Sequence, residues 1–305
     1  MMGRMRRVRL RPAQPCPPGL GPFRGRSALA GRPPVVEEGG RPGEDRVSEA
    51  KALQVEMRGA VALLTVSRPE RRNALDEATV EAIGAFFQKP PADAKVAVLT
   101  GAGPHFCAGL DLEEHARLKR TPVEFMRMCQ RWHWAFDQMQ FGGLPIVAAL
   151  QGAVVGGGLE LAAACHSRVA DATTFFALPE GQRAIFTGGG ATVRVGRIIG
   201  PGRMVDMMLA ARTYDAERGL ALGLCHEVVP AGGALERALA IAEAATHHAP
   251  LSNYAMVTAI SRINDMSTTD GLFAESLMAG IVQSGPEVAA GLAEFLEKRA
   301  KRLET

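Results

Sequence analysis

Residues 145–165 read PIVAALQGAVVGGGLELAAAC, an apolar run in which Glu160 is the lone carboxylate. A β-branched stretch gives way to three consecutive glycines and then to Leu and Ala. That order predicts a buried strand over 145–150, a glycine loop, and a buried helix carrying the acid. A carboxylate is almost never fully buried unless it is paired or put to use. Glu160 falls in the first helical turn, where the helix dipole alone would favour it, but the dipole does not require apolar surroundings. The rest of the chain has to supply its task.

The same design occurs three times: a buried strand delivers the chain to a glycine-containing loop. The segments are VAVLTGAGPHFCAGLDL (96–112), IVAALQGAVVGGGLELAAAC (146–165) and FFALPEGQRAIFTGGG (175–190). Glycines let a backbone approach a ligand and aim its N–H groups. The middle segment also opens a helix, whose first N–H groups are unpaired and partly positive. If the N–H groups of Ala108 and Gly157 face one point, they form a hole for an oxygen that gains negative charge. Glu180 follows a proline at an apolar strand end. Brought together in a semi-buried cleft, Glu160 and Glu180 would drive their pKa values apart. One could then activate water and the other deliver a proton. They lie 20 residues apart, and spacing alone does not show that they meet.

Around these segments the body reads as strands alternating with helices, then mostly helices, which predicts an α/β core with a helical C-terminal part. Two strands flank a turn at Arg58-Gly59, Asp76 caps a helix, and a long amphipathic helix fits 121–139. Helices are expected near 189–199, 201–211, 215–221, 233–247, 251–264, 269–282 and 286–301, interrupted by a strand at 225–230. The expected division is an extension over 1–47, a core over 48–245 and a helical region over 246–305.

The 305 residues are 47% hydrophobic, ample for a large core. The net charge of +3 belongs to residues 1–47, which hold ten arginines, no lysine and four acids. Seven prolines up to Pro34 forbid a long helix there, and a disordered Arg/Pro-rich extension is expected. A transit peptide, and with it a mitochondrial location, is the alternative reading. The body is slightly acidic and has no nucleic-acid footprint. No apolar run approaches the roughly 20 residues of a membrane span. Five scattered cysteines without a CxxC pair fit reduced thiols in a cytoplasmic setting. GxxxxGK[ST], GxGxxG, GxSxG and HExxH are all absent, which removes the common phosphate-loop, serine-elbow and zincin chemistries.

Over about residues 50–301 the chain resembles the enoyl-CoA hydratase/isomerase (crotonase) superfamily. RPERRNAL (68–75), FCAGLDL (106–112), GGGLELAAAC (156–165), FALPEG (176–181) and GGGATVRVGRIIG (188–200) carry the resemblance. It implies a crotonase-like spiral of ββα units with a helical C-terminal trimerisation region, assembled as a homotrimer or hexamer. It also implies an acyl-CoA substrate whose thioester oxygen sits between the Ala108 and Gly157 N–H groups. Glu160 and Glu180 are then the catalytic acids of the hydratase branch, and Arg71 or Arg72 meets the coenzyme A phosphates. No metal and no cofactor beyond the substrate's own coenzyme A are implied. The chain departs from the usual pattern at His166, where relatives commonly have Asp, and at Arg183, Ala184 and Thr187. These changes are expected to border the acyl pocket.

Overall fold

The computed structural model describes residues 52–297. The extension expected over 1–47 lies outside them. A six-stranded sheet holds β1 (Leu53–Arg58), β2 (Val61–Val66), β3 (Val96–Gly101), β4 (Ile146–Leu150), β6 (Ser167–Asp171) and β9 (Glu227–Val229), in that spatial order. The β1–β2 hairpin is antiparallel and all later pairings are parallel. A second sheet orders β5 (Ala153–Val155), β7 (Phe175–Ala177) and β8 (Thr213–Asp215).

Both faces of the large sheet are covered, which is why VAVLTG and IVAAL are buried at every position instead of alternating. One face packs on a core that includes Leu64, Leu99, Leu150 and Phe136. The other face, which carries Val61, Leu63, Val98 and Val147, packs on Ala234, Ala238 and Ala242 of α8 (Ala234–Thr246). Small alanines let that helix lie close to the strands.

The remaining helices are α1 (Glu77–Gln88), α2 (Leu112–Leu118), α3 (Pro122–Phe141), α4 (Gly157–Ala163), α5 (Ala191–Ile199), α6 (Pro201–Leu209), α7 (Ala216–Leu222), α9 (Pro250–Ile263), α10 (Thr268–Gln283) and α11 (Glu287–Leu296). Asp76 caps α1 by accepting from Thr79 N, and Thr121 with Glu124 forms a full capping box on α3. Among the described residues no helix is long and apolar enough to cross a membrane.

The small sheet is what positions the site. Val154 of β5 forms a parallel bridge with Cys107 and pairs in register with Phe176 of β7. Three segments thus run side by side in one direction, and their continuations (108–112, 156–160 and 177–180) emerge at one place.

Candidate active site

The converging loops line a single cleft that includes Leu110, Gly157, Glu160 and Glu180. The two glutamates therefore meet, although 20 residues separate them. Glu160 is 3% exposed and Glu180 6%. Glu160 Oε1 accepts hydrogen bonds from Gly189 N at 2.9 Å and Ala191 N at 3.0 Å. Glu180 Oε2 is buried with no hydrogen-bond partner.

Burial pushes the Glu160 carboxyl up to about 7, and the charge of Glu180 acts the same way; the two backbone N–H bonds and Arg194 oppose it. Burial also raises Glu180, against its own backbone N–H and Arg183. The two are held differently. Two backbone N–H groups favour the ionised form of Glu160 but do not outweigh its burial, while Glu180 lacks a donor on Oε2; both carboxyls sit above the ordinary range.

Gly189 is fixed in turn. A Cβ there would collide with Glu160 Oε2 and with the Trp132 ring. Its carbonyl accepts from Arg194 Nη1 at 3.3 Å, and Arg194 is held by Gln140 Oε1 at 2.8 Å and by Asp137. The role of Arg194 escaped the sequence reading. The available signal was the pair Arg194 and Arg197 in an otherwise uncharged run over 191–199, of which Arg194 proves to be the buried cation.

One expected donor is corrected. The Ala108 N–H donates to Arg72 O at 2.9 Å and is not free to face a substrate. Among the described residues the unpaired N–H of the 107–110 loop is that of Leu110. Leu75 bridges this loop through its N–H to Gly109 O and its carbonyl to Asp111 N, so the Leu110 N–H points away from that bridge. A Cβ built on Gly157 would lie 3.3 Å from Leu110 N, and one on Gly109 would lie 3.1 Å from Gly157 N. The two N–H groups thus share one neighbourhood, and neither donates to another protein atom among the described residues. Gly157 opens α4, where no preceding carbonyl is available to it. Gly156 supplies the preceding turn at φ +54°, which a side chain would strain.

The loop is clamped from behind by Asn73 of the 68–75 motif. Asn73 Oδ1 accepts from Arg68 N at 2.9 Å, and Nδ2 donates to the carbonyls of Ala102 (2.9 Å) and His105 (2.6 Å).

Neither Arg71 nor Arg72 lines the cleft. Arg71 Nη1 lies 2.6 Å from Glu113 Oε2 and 3.8 Å from Asp111 Oδ1, so its charge is already compensated. Arg72 is exposed, and its guanidinium has no partner among the described residues. Of the four departures, Arg183 and Thr187 line the cleft. His166 does not: its Nδ1 accepts from Ile146 N at 3.0 Å and its Nε2 meets Gln140 O at 3.1 Å, a structural post. Cys107 is buried and its thiol is pushed up to about 12 by that burial, which rules out a thiolate nucleophile at neutral pH. Among the described residues no group of three His, Cys, Asp or Glu is placed to hold a metal ion.

The enoyl-CoA hydratase/isomerase family model matches residues 56–305. A crystal structure from Rhodopseudomonas palustris, provisionally described as an enoyl-CoA hydratase, shares 39% identity at a TM-score of 0.79, covering 84% of this chain and 98% of that one. The short-chain-enoyl-CoA hydratase of Clostridium acetobutylicum is 29% identical, across 82% of this chain and 96% of its own. An Arabidopsis thaliana protein provisionally named mitochondrial enoyl-CoA hydratase 2 is 30% identical, across 77% and 79%. Sequence, fold and cleft agree: the chain belongs to the enoyl-CoA hydratase/isomerase family.

Proposed function

We propose that this protein adds water across the double bond of a 2-enoyl-CoA thioester. The observation that carries the reading is the pair of buried carboxylates on one cleft, Glu160 anchored by two backbone N–H groups and Glu180 with one oxygen left unpartnered. In this reading the thioester oxygen accepts from the Leu110 and Gly157 N–H groups, which stabilise the enolate as charge develops. Glu160, ionised, takes a proton from water as the water oxygen bonds to C3. Glu180, protonated, gives its proton to C2. One proton passes from water to Glu160 and one from Glu180 to carbon, so the pair keeps its single proton and resets by exchange between the two acids.

No metal or redox cofactor enters these steps, and coenzyme A arrives with the substrate. Arg72, the uncompensated cation beside the 108 loop, is the better placed of the two arginines to meet its phosphates. The reading extends to a cytoplasmic homotrimer or a hexamer built from two trimers. Double-bond isomerisation needs only one carboxylate to shuttle a proton, and the second acid favours hydration over it.

The test is loss of enoyl-thioester absorbance with crotonyl-CoA. Wild type is expected to turn over, and Glu160→Gln and Glu180→Gln are each expected to lose about 10²–10⁴ in kcat. Full activity in both variants would remove the two-acid mechanism. Conversion of a 3-enoyl-CoA without hydration of the 2-enoyl ester would select the isomerase instead.

A further inference from the structure

The cleft does not end at the glutamates. Beside it, sharing Phe125, Ile185 and Phe186 as walls, lies a second, more open hollow whose lining adds Arg120 and Gln130. His115 and Thr187 border both spaces. Phe125, Ile185 and Phe186 suit the methylenes of an acyl chain, but the far wall does not suit a methyl end. Arg120 has a side chain only 7% exposed. Its Nη2 pairs with Glu77, and its Nη1 is buried without a hydrogen-bond partner. His115 Nδ1 and Thr187 Oγ1 are buried and unpartnered in the same way. Native proteins keep very few such orphans, and a cluster of them on one cavity calls for a ligand that satisfies them.

The charge balance points the same way. Glu77 is shared, because Arg131 Nη2 also approaches it at 2.9 Å. Glu81 reaches Arg131 only at 4.0 Å and from a largely solvent-exposed position. Glu77, itself about a quarter exposed, is shared between two guanidiniums, so Arg120, with a side chain 7% exposed, has only part of one carboxylate to itself.

Resting on the acyl-CoA reading above, we propose that the acyl group taken by this site ends in a carboxylate, seated in the second hollow. Arg120 Nη1 donates to that carboxylate, and the Thr187 hydroxyl and the His115 ring complete its surroundings. The direction of the cleft fits. The Leu110 N–H, where the thioester is placed, precedes the N-terminus of α2, and Arg120 follows its C-terminus. The chain from thioester to terminal carboxylate would run along that helix.

The experiment uses the full chain and two saturated thioesters of equal chain length, adipyl-CoA and hexanoyl-CoA, which bind without turnover. Isothermal titration calorimetry should show adipyl-CoA bound about 10- to 100-fold more tightly by wild type. Arg120→Met should bring the ratio near one, and Arg120→Lys should restore part of it. Arg120 also holds Glu77, so Thr187→Val is measured beside it and should lower the ratio severalfold with Tm unchanged. Equal or tighter binding of hexanoyl-CoA by wild type overturns the proposal, as does an unchanged ratio in Arg120→Met. Equally tight binding of 6-hydroxyhexanoyl-CoA overturns the assignment of a charged end. Hydration is read separately on the enoyl forms. Carboxylate preference without hydration keeps this inference and removes the hydratase reading; hydration without preference does the reverse.

Discussion

Glu160 costs the folded chain stability in exchange for its position. Its carboxyl is raised from an ordinary 4.5 to about 7, chiefly by burial. The unfolded chain releases this proton near 4.5 and the folded chain keeps it to about 7. Between those values the folded state binds more protons, so stability falls as pH rises. Integrated over the interval, the loss is about 3 kcal/mol, reached above pH 7. Glu160→Gln keeps an oxygen to accept from Gly189 and Ala191 and removes the charge. Calorimetry should therefore find this variant melting several degrees above wild type at pH 8, with the two converging near pH 5. The same substitution is expected to abolish most hydration, so stability and activity move in opposite directions. Equal melting at both pH values would mean that the folded protein does not hold Glu160 in a desolvated site.

Among the elements, α4 carries the most constraint per residue. All seven of its residues are buried, and it starts directly on the 107–110 loop. A Cβ on Gly158 would run into the carbonyl oxygen and Cβ of Cys107. Overpacking of this kind costs about 1–3 kcal/mol. Gly158→Ala should lower the denaturation midpoint accordingly, and it should reduce kcat because the two proposed donors, Gly157 and Leu110, lie on the surfaces being pushed apart. A variant with wild-type midpoint and kcat would show that α4 can slide away from the loop without consequence. The helix itself was legible in the sequence, as were β1–β4, the cap on α1, the extent of α3, and the buried setting of Glu160, because burial and periodicity leave a pattern in residue type. Other elements left none. β5 and β8 are three residues each, too short to show a period, and α2 is hidden in a charged run. That Leu110 rather than Ala108 has the free N–H left no local pattern either. Which N–H in a loop is free depends on pairing with Leu75 and with Arg72 O, and those partners are remote in sequence. The meeting of Glu160 and Glu180 depends equally on the register of Cys107, Val154 and Phe176, which no local pattern encodes.

At the scale of the whole molecule, α9, α10 and α11 leave a large apolar surface. Of the residues of α10 only Gly271 is buried, while Leu272, Phe273, Leu277 and Ile281 are all more than half exposed, Phe273 at 65%. Phe295 and Leu296 on α11 and Ile260 on α9 add to it. Apolar area on this scale, concentrated on consecutive helices, is burdensome in a monomer and ordinary at a subunit interface. The proposed assembly accounts for it. Sedimentation equilibrium should give about three or six times the chain mass of 32.4 kDa. Paired substitutions Phe273→Glu and Leu277→Glu place charges at i and i+4 on one helical face, where burial against a partner would cost several kcal/mol. They should yield a smaller species without changing the far-ultraviolet circular dichroism. The active cleft is built from residues 108–189 and includes nothing from α9–α11. A dissociated subunit that keeps hydration activity would show that the helical region serves assembly alone. Loss of activity with retained secondary structure would show that neighbouring subunits hold the α2–α3 wall of the cleft in place. A wild-type chain that sediments as a monomer would leave this surface to a different partner and remove the trimer from the reading.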